Sequence, residues 1–179
     1  TLNVAPDWPR TGANGLGDLL DNPAWEAGYA KLADVGFSFD MQLNAHQFKK
    51  GAAIAAKHPN IPVIINHLGT PTLKDLEEGG AVFWEGMEAL AAAGPHVYIK
   101  ISMLCYTDPK WDENALVADA LKRIVGLFGT NRCFFASNYP VDILPDQGAW
   151  TPDKLYPAFL KAAQAAGCSD LTIRRMFNQ

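Results

Sequence analysis

The stretch that decides the fold is Ile61-Pro62-Val63-Ile64-Ile65-Asn66-His67-Leu68-Gly69. Its apolar, mostly β-branched residues run directly into a polar Asn-His pair and a glycine. A strand this apolar is typical of a parallel sheet covered on both faces. Ligands of such sheets bind at the carboxyl ends of the strands. His67 is therefore the first candidate for chemistry, and a merely hydrogen-bonded histidine at a sheet end is an equally good alternative.

Three further apolar stretches end in polar residues in the same way. They are predicted as strands over Phe37 to Leu43, which leads into Asn44, over Val97 to Ile101, which leads into Ser102, and over Cys133 to Ala136, which leads into Ser137 and Asn138. A polar residue at each strand exit indicates one shared polar edge of the sheet.

Helical patterns separate the predicted strands. Their start signals are Asn22-Pro23, Thr151-Pro152 and Ser169, and helical apolar spacing predicts further helices over Phe48 to Lys57, Val82 to Ala93 and Ala115 to Phe128. Strands that alternate with helices predict an α/β fold with a parallel sheet and right-handed crossovers.

The length of the repeating units favours a barrel over an open sheet. Gln42, His67, Ser102 and Asn138 lie about 25 to 36 residues apart, a spacing that fits β/α units. Eight such units need roughly 250 residues, whereas the chain has 179 residues and four clear strands. The chain also lacks an initiator methionine and opens with a loop-like region of about 20 residues rich in Gly, Pro, Asn and Asp. We therefore expect a single domain over residues 1–179 that is the C-terminal portion of a larger barrel.

Composition excludes several classes of protein. With 49% hydrophobic and 19% charged residues the chain has an ordinary globular composition. A net charge of -4 and the absence of long basic runs argue against nucleic-acid binding. No apolar stretch is long enough to cross a membrane. Three widely spaced cysteines fit a reduced, cytoplasmic environment better than a disulfide framework.

Two of the four histidines belong to the predicted polar edge. His58 and His96 precede strands, on the face where barrels carry stability, whereas His46 and His67 follow strands. Strand alternation is expected to send Gln42, Asn44 and His46 to one side of the sheet. Lys100 lies inside an apolar strand and either faces the barrel, where it could hold a substrate carboxylate, or reaches outward to solvent.

The combined motifs resemble a known family. Asn66-His67-Leu68-Gly69, Tyr98-Ile99-Lys100-Ile101-Ser102 and Ser137-Asn138-Tyr139-Pro140-Val141-Asp142 are similar in order and spacing to the amidohydrolase-related family, and within it to the lactonases of 2-pyrone-4,6-dicarboxylate, fuconolactone and sulfomuconolactone. The resemblance implies a (β/α)8 TIM barrel of the metal-dependent hydrolase type, present as a partial barrel of about strands five to eight.

The resemblance also implies roles for single residues. His67 matches the strand-six histidine that polarises the substrate carbonyl. Asn138 stands where relatives carry the strand-eight aspartate, which acts as general base or metal ligand, and Gln42 stands at the position of a strand-five histidine. Neutral amides cannot titrate near pH 7 and are poor ligands for transition metals. Asp142 is then the nearest carboxylate that could activate water, with a loop-capping role as its alternative.

These inferences lead to one main function and two alternatives. The expected protein is a hydrolase of carboxylic ester or lactone bonds that opens a small carboxylated lactone, with no cofactor or, alternatively, one divalent metal such as Zn or Mn. We expect catalytic roles for His67, Asn138 and Asp142, and substrate binding by Gln42, Asn44, His46, Lys100 and Ser102. The expected partner is a small carboxylated substrate, and the sequence leaves open whether the protein forms a homo-oligomer. The alternatives are a metal-dependent decarboxylase or hydratase of the same family, and an inactive half-barrel that acts by association.

Overall fold

A single parallel sheet organises the molecule. The computed structural model describes residues 18–77, 80–144 and 150–178. Within them lie four strands: β1 (Phe39–Met41), β2 (Val63–Ile65), β3 (Val97–Ile101) and β4 (Cys133–Phe135). Every neighbouring pair is parallel, and the strands follow one another in chain order. Each crossover therefore moves one strand along, which is how a β/α barrel is built.

One helix precedes the first strand, and the others form these crossovers or follow the last strand. They are α1 (Pro23–Ala30), α2 (Phe48–Lys57), α3 (Leu73–Leu76), α4 (Ala81–Ala92), α5 (Ala115–Phe128), α6 (Pro152–Ala165) and α7 (Asp170–Phe177). The side chain of Asn22 accepts a hydrogen bond from the Ala24 amide at 2.9 Å and starts α1, and Ser169 caps α7 in the same way. Side-chain caps of this kind satisfy amides that the first helical turn leaves unpaired.

Strand alternation gives the sheet two different faces. Met41, Val63, Ile65, Val97 and Ile99 are fully buried and pack in the hydrophobic core with the helices. The opposite face, which we call the inner face, carries the register-aligned residues Asp40, Ile64 and Tyr98, followed by Lys100 and Phe134. Apart from the exposed Asp40, these residues are partly buried. In a barrel this face would line the interior.

Close helix packing supports the sheet from outside. A Cβ built on Gly86 of α4 would lie 2.6 Å from Cβ of Phe48 in α2, so glycine allows the two helices to approach. At the amino end of the sheet the Arg132 guanidinium donates to the carbonyl oxygens of Phe128, Ala91, Gly94 and Val97 at 2.7 to 3.2 Å. Two of these carbonyls, those of Phe128 and Ala91, lie in the last turns of helices, where carbonyls have no intrahelical partner.

Most predicted elements are confirmed, with differences at their ends. All four strands are present, but β1 covers only Phe39–Met41 of the predicted Phe37 to Leu43. The alternation expected to carry on to His46 was wrong, because Ala45–Gln47 forms a 3-10 turn. The short helix α3 was not predicted. Most of the loop predicted over about the first 20 residues, up to residue 17, lies outside the described residues, and its end forms a 3-10 turn over Leu19–Asp21. In the part of the chain that the structure describes, the longest helices have 14 residues, and none is long and apolar enough to cross a membrane.

Candidate active site

His67 lies in a turn that leaves the carboxyl end of β2 in the left-handed region of backbone space. Its φ is 55°, and Leu68, Gly69 and Thr70 continue with φ of 52°, 77° and 52°. In residues other than glycine, a left-handed backbone costs a conformational free energy of order 1 kcal/mol or more and persists only where the surrounding structure imposes it. Leu68 and Gly69 are buried, and Gly69 leaves no room for a Cβ against Met87 and Phe48. Packing under the turn therefore fixes the backbone that carries His67.

A buried serine on the next strand orients the imidazole. Nδ1 of His67 lies 2.8 Å from Oγ of Ser102, which follows β3 and is 1% exposed. Burial lowers the pKa of His67 from its usual 6.5, the Lys100 ammonium lowers it further, and the Asp40 carboxylate partly offsets both. His67 is consequently neutral at pH 7, with one ring nitrogen engaged by Ser102 and no described residue bonded to Nε2.

Lys100 lies on the inner face and makes an ion pair across it. Its Nζ is 3.2 Å from Oδ1 of Asp40, two strands away. The Lys100 side chain is 21% exposed and that of Asp40 is 56% exposed. The sequence left open whether Lys100 faces the barrel or solvent, and its position beside Phe134 in the register places it on the inner face. Asp40 was not a predicted site residue.

Asn138 and Asp142 form a second polar group at the same edge of the sheet, after β4. Nδ2 of Asn138 donates to Oδ1 of Asp142 at 2.6 Å. Asp142 is 1% exposed, and its Oδ2 has no hydrogen-bond partner in the part of the chain that the structure describes. Burial raises the pKa of Asp142, although hydrogen bonds from Asn138 and Cys105 counteract part of that effect. Burial and the neighbouring carboxylate together raise the pKa of Cys105 to about 12, so this thiol stays protonated.

The residues that follow β1 are spread more widely than predicted. Gln42 and Asn44 are half-buried, and the Asn44 amide donates to Oε1 of Gln47 at 3.2 Å where the 3-10 turn begins. His46 lies within this turn and is exposed. The turn depends on Gln47, whose Nε2 donates to Asp18 Oδ1 at 3.0 Å, a contact between residues 29 positions apart. No local sequence pattern could have revealed it.

Left-handed residues mark the exits of three consecutive strands. Besides His67, Met103 after β3 has φ of 59° and Asn138 after β4 has φ of 50°. Strained backbone of this kind clusters at active sites and ligand clamps. His and Asn adopt left-handed conformations more readily than most residues. The His and Asn found at strand ends in the sequence are therefore a weak signal for this backbone geometry. Nothing in the sequence indicates that Met103 adopts it.

The comparisons with known proteins agree with this architecture. The amidohydrolase family profile matches residues 10–178. The chain belongs to the amidohydrolase family. It is 33% identical to an uncharacterized protein of Sinorhizobium fredii over 148 residues, which are 80% of this chain and 47% of that protein. It is also 24% identical to L-fucono-1,5-lactonase of Burkholderia ambifaria over 137 residues, covering 74% of this chain and 46% of the lactonase.

Solved amidohydrolase structures share the fold. One from Burkholderia multivorans with bound zinc superimposes with a TM-score of 0.74 at 22% identity, covering 88% of this chain and 55% of the other. A protein of Pseudomonas putida assigned as a 2-pyrone-4,6-dicarboxylic acid hydrolase gives a TM-score of 0.65 at 18% identity, covering 98% and 58%. The predicted fold class, a TIM barrel present in part, is confirmed. The chain spans about half the length of the curated relatives it matches.

Metal ligands are scarce among the residues that the structure places at the polar edge. His67 offers one imidazole, while Gln42 and Asn138 offer amides. Over residues 18–77, 80–144 and 150–178, no three His, Cys, Asp or Glu side chains come together in a way that could hold a metal ion. Protein zinc sites use three or four nitrogen, sulfur or carboxylate ligands. The described residues alone therefore do not fit a zinc ion.

Proposed function

We propose that this chain contributes the histidine-bearing half of the active site in a hydrolase that opens a small carboxylated lactone. The observation that supports this most directly is His67, which is held neutral at the exit of β2 with Nδ1 on a buried hydroxyl. We infer that the Ser102 hydroxyl donates to Nδ1; a neutral imidazole whose Nδ1 accepts such a bond carries its proton on Nε2. Nε2–H is then the group available to a substrate.

In the proposed reaction, Nε2–H of His67 donates to the lactone carbonyl oxygen. A hydrogen bond there stabilises the negative charge that develops when water attacks the carbonyl carbon. The water oxygen bonds to that carbon and gives one proton to the base, the ring C–O bond breaks, and the departing ring oxygen takes that proton back from the base to become a hydroxyl. The product is an open-chain hydroxy acid, and Ser102 keeps the imidazole in the required tautomer by donating to Nδ1.

Asp142 and Asn138 are the candidates in this chain for handling the water. The raised pKa of Asp142 suits a carboxylate that takes a proton from water, because a base works best when its pKa is near the working pH. Asp142 and its Oδ2 are both buried, so the proposed reaction requires a water molecule to enter beside this carboxylate oxygen, which has no hydrogen-bond partner among the described residues. Asn138 holds the other carboxylate oxygen and orients it.

Lys100 is the proposed partner of the substrate carboxylate, and Gln42, which follows β1, is a further proposed substrate contact. Two observations from relatives support a lactone as substrate class. L-fucono-1,5-lactonases are among the matched proteins, and the Pseudomonas putida protein named for a pyrone dicarboxylic acid shares the fold. Asn44 and His46 lie further along the same connection, and we keep them as proposed substrate contacts.

The test replaces His67 by alanine in the native protein and measures lactone opening by pH-stat. Loss of one donor to a developing oxyanion costs about 10² to 10³ in kcat. His58→Ala, at the opposite edge of the sheet, is the matched control and should retain activity. Unchanged kcat in His67→Ala would refute the proposal.

Product analysis distinguishes lactone opening from decarboxylation, the alternative reaction. A decarboxylase would release CO2 and would lose activity on chelation, whereas lactone opening yields only the hydroxy acid. Stoichiometric zinc or manganese in the purified protein, with activity lost to chelators and restored by metal, would show that the metal-independent mechanism is wrong.

A further inference from the structure

The ion pair between Lys100 and Asp40 places an acid where the proposed substrate carboxylate would bind. The pair crosses the inner face from β3 to β1, and both charges are close enough to His67 to change its pKa. Lys100 is the cation that the proposed function assigns to the substrate. In the free protein, Asp40 Oδ1 occupies it at 3.2 Å.

The surroundings of the pair fit a flat ring. Next to it on the inner face, Pro62, Ile64, Tyr98 and Phe134 line a depression of about 320 Å³, which is open in a chain that spans about half the length of its relatives. Asp40, Ile64 and Tyr98 are aligned in the register, and Phe134 is aligned with Lys100. An apolar ring lying on these side chains would bring its substituents to the ion pair. Apolar walls with a few convergent polar groups are typical of small-molecule sites.

The two partners are anchored unequally. The Lys100 side chain is 21% exposed on a central strand, while that of Asp40 is 56% exposed on β1. Within the part of the chain that the structure describes, Asp40 is the more exposed partner, so its carboxylate is the one expected to move when the pair opens. Exposed ion pairs contribute only about 0.2 to 1 kcal/mol. A carboxylate on a bound ring, whose orientation is already fixed, can compete with so weak a contact.

We propose that Asp40 is a specificity residue that fills the carboxylate subsite of Lys100 in the free protein and is displaced by a carboxylated ring. This inference rests on the proposed function, because Lys100 is its substrate-binding cation. A ring carboxylate must displace Asp40 and then takes its place beside Lys100, whereas a neutral ring leaves the ion pair intact. Asp40 thus weakens the binding of anionic rings and leaves that of neutral rings unaffected.

The experiment measures binding of benzoate and of its neutral isostere benzamide to the native protein. The readout is the NMR shift of the His67 imidazole, which senses both charges and needs no turnover. We expect Asp40→Asn to tighten benzoate binding by up to about fivefold, the equivalent of one exposed ion pair, and to leave benzamide unchanged. Lys100→Gln should weaken benzoate to the level of benzamide.

Three further variants keep the result interpretable. Asp40→Glu retains the carboxylate and should restore native benzoate affinity. Asp34→Asn removes an exposed charge near the other end of β1, and Lys122→Gln removes one on α5, so both should bind benzoate as the native protein does. Thermal melts establish that each variant is folded.

The outcomes are distinct. If Asp40→Asn leaves benzoate affinity unchanged, or weakens benzoate and benzamide alike, Asp40 does not compete for the subsite and the inference is overturned. If the probes respond as expected but no lactone is opened, the proposed function fails and the anion competition at Lys100 stands.

Discussion

Replacement of Ser102 by alanine tests the contact on which the proposed role of His67 depends. The hydroxyl is buried and lies 2.8 Å from Nδ1, so its loss leaves that nitrogen without its partner. A hydrogen bond of this kind contributes a net free energy of about 0.5 to 1.5 kcal/mol. At 1.36 kcal/mol for each tenfold in rate, kcat should fall by about 2-fold to 13-fold, well short of the loss expected for His67→Ala.

The decisive measurement is the tautomer of the imidazole. Nitrogen-15 NMR of His67 at pH 8, where the ring is neutral, should show the proton on Nε2 in the native protein and a mixture of tautomers in Ser102→Ala. Ser137→Ala is the matched control, since it deletes the same hydroxyl at the exit of β4, where Ser137 accepts a bond from the Tyr139 amide. It should leave the tautomer of His67 unchanged.

A native imidazole protonated on Nδ1 would refute the reasoning. Ser102 would then accept the bond, and Nε2 would be an acceptor that cannot polarise a carbonyl. An unchanged tautomer and an unchanged kcat in Ser102→Ala would also refute it, because the contact would then be incidental to the state of His67.

Three other predictions concern pH, charge and packing. The pKa of His67 in the folded protein lies below the 6.5 of the unfolded chain. The free energy of unfolding should therefore rise with pH through the window just below 6.5, and activity should fall only on that acid side. An NMR titration of His67 and thermal melts at several pH values check both. Asn138→Asp places a second carboxylate beside Asp142, and since like charges raise one pKa, the rate should fall or its optimum move upward; a large gain at neutral pH in the rate profile would contradict this. Gly86→Ala should lower the free energy of unfolding in urea by about 1 to 3 kcal/mol through overpacking, whereas Gly126→Ala, with open space around it, should raise it by up to about 1 kcal/mol.

Local chemistry explains why so much of the fold could be predicted from the sequence. Asn22-Pro23 and Ser169 begin helices because capping and a preset φ are properties of neighbouring residues. The dense Val and Ile of β2 predict a buried strand because burial on both faces requires apolar side chains throughout. Ser102 and Asn138 could be assigned to the polar edge because parallel strands bring their carboxyl ends together.

The missed features depend on contacts between distant residues. Asp40 and Lys100 are 60 positions apart, and alternation alone gives their faces but not their pairing across an intervening strand. The turn that takes His46 away from the strand pattern forms with Gln47 bonded to Asp18. The burial of Asp142 beside Cys105 arises from two loops that meet, and no periodicity describes such a meeting. Register and loop docking are the information that a single sequence lacks.

The left-handed backbone at Asn138 has a consequence for how this site can change during evolution. Asn and Asp are among the few residues other than glycine that adopt this conformation readily. Exchange between them alters the charge and the proton chemistry of the site while leaving its backbone intact, whereas a β-branched residue would force the loop to rebuild. The geometry thus restricts position 138 to a narrow set of residues, within which a titrating and a non-titrating group differ by a single substitution.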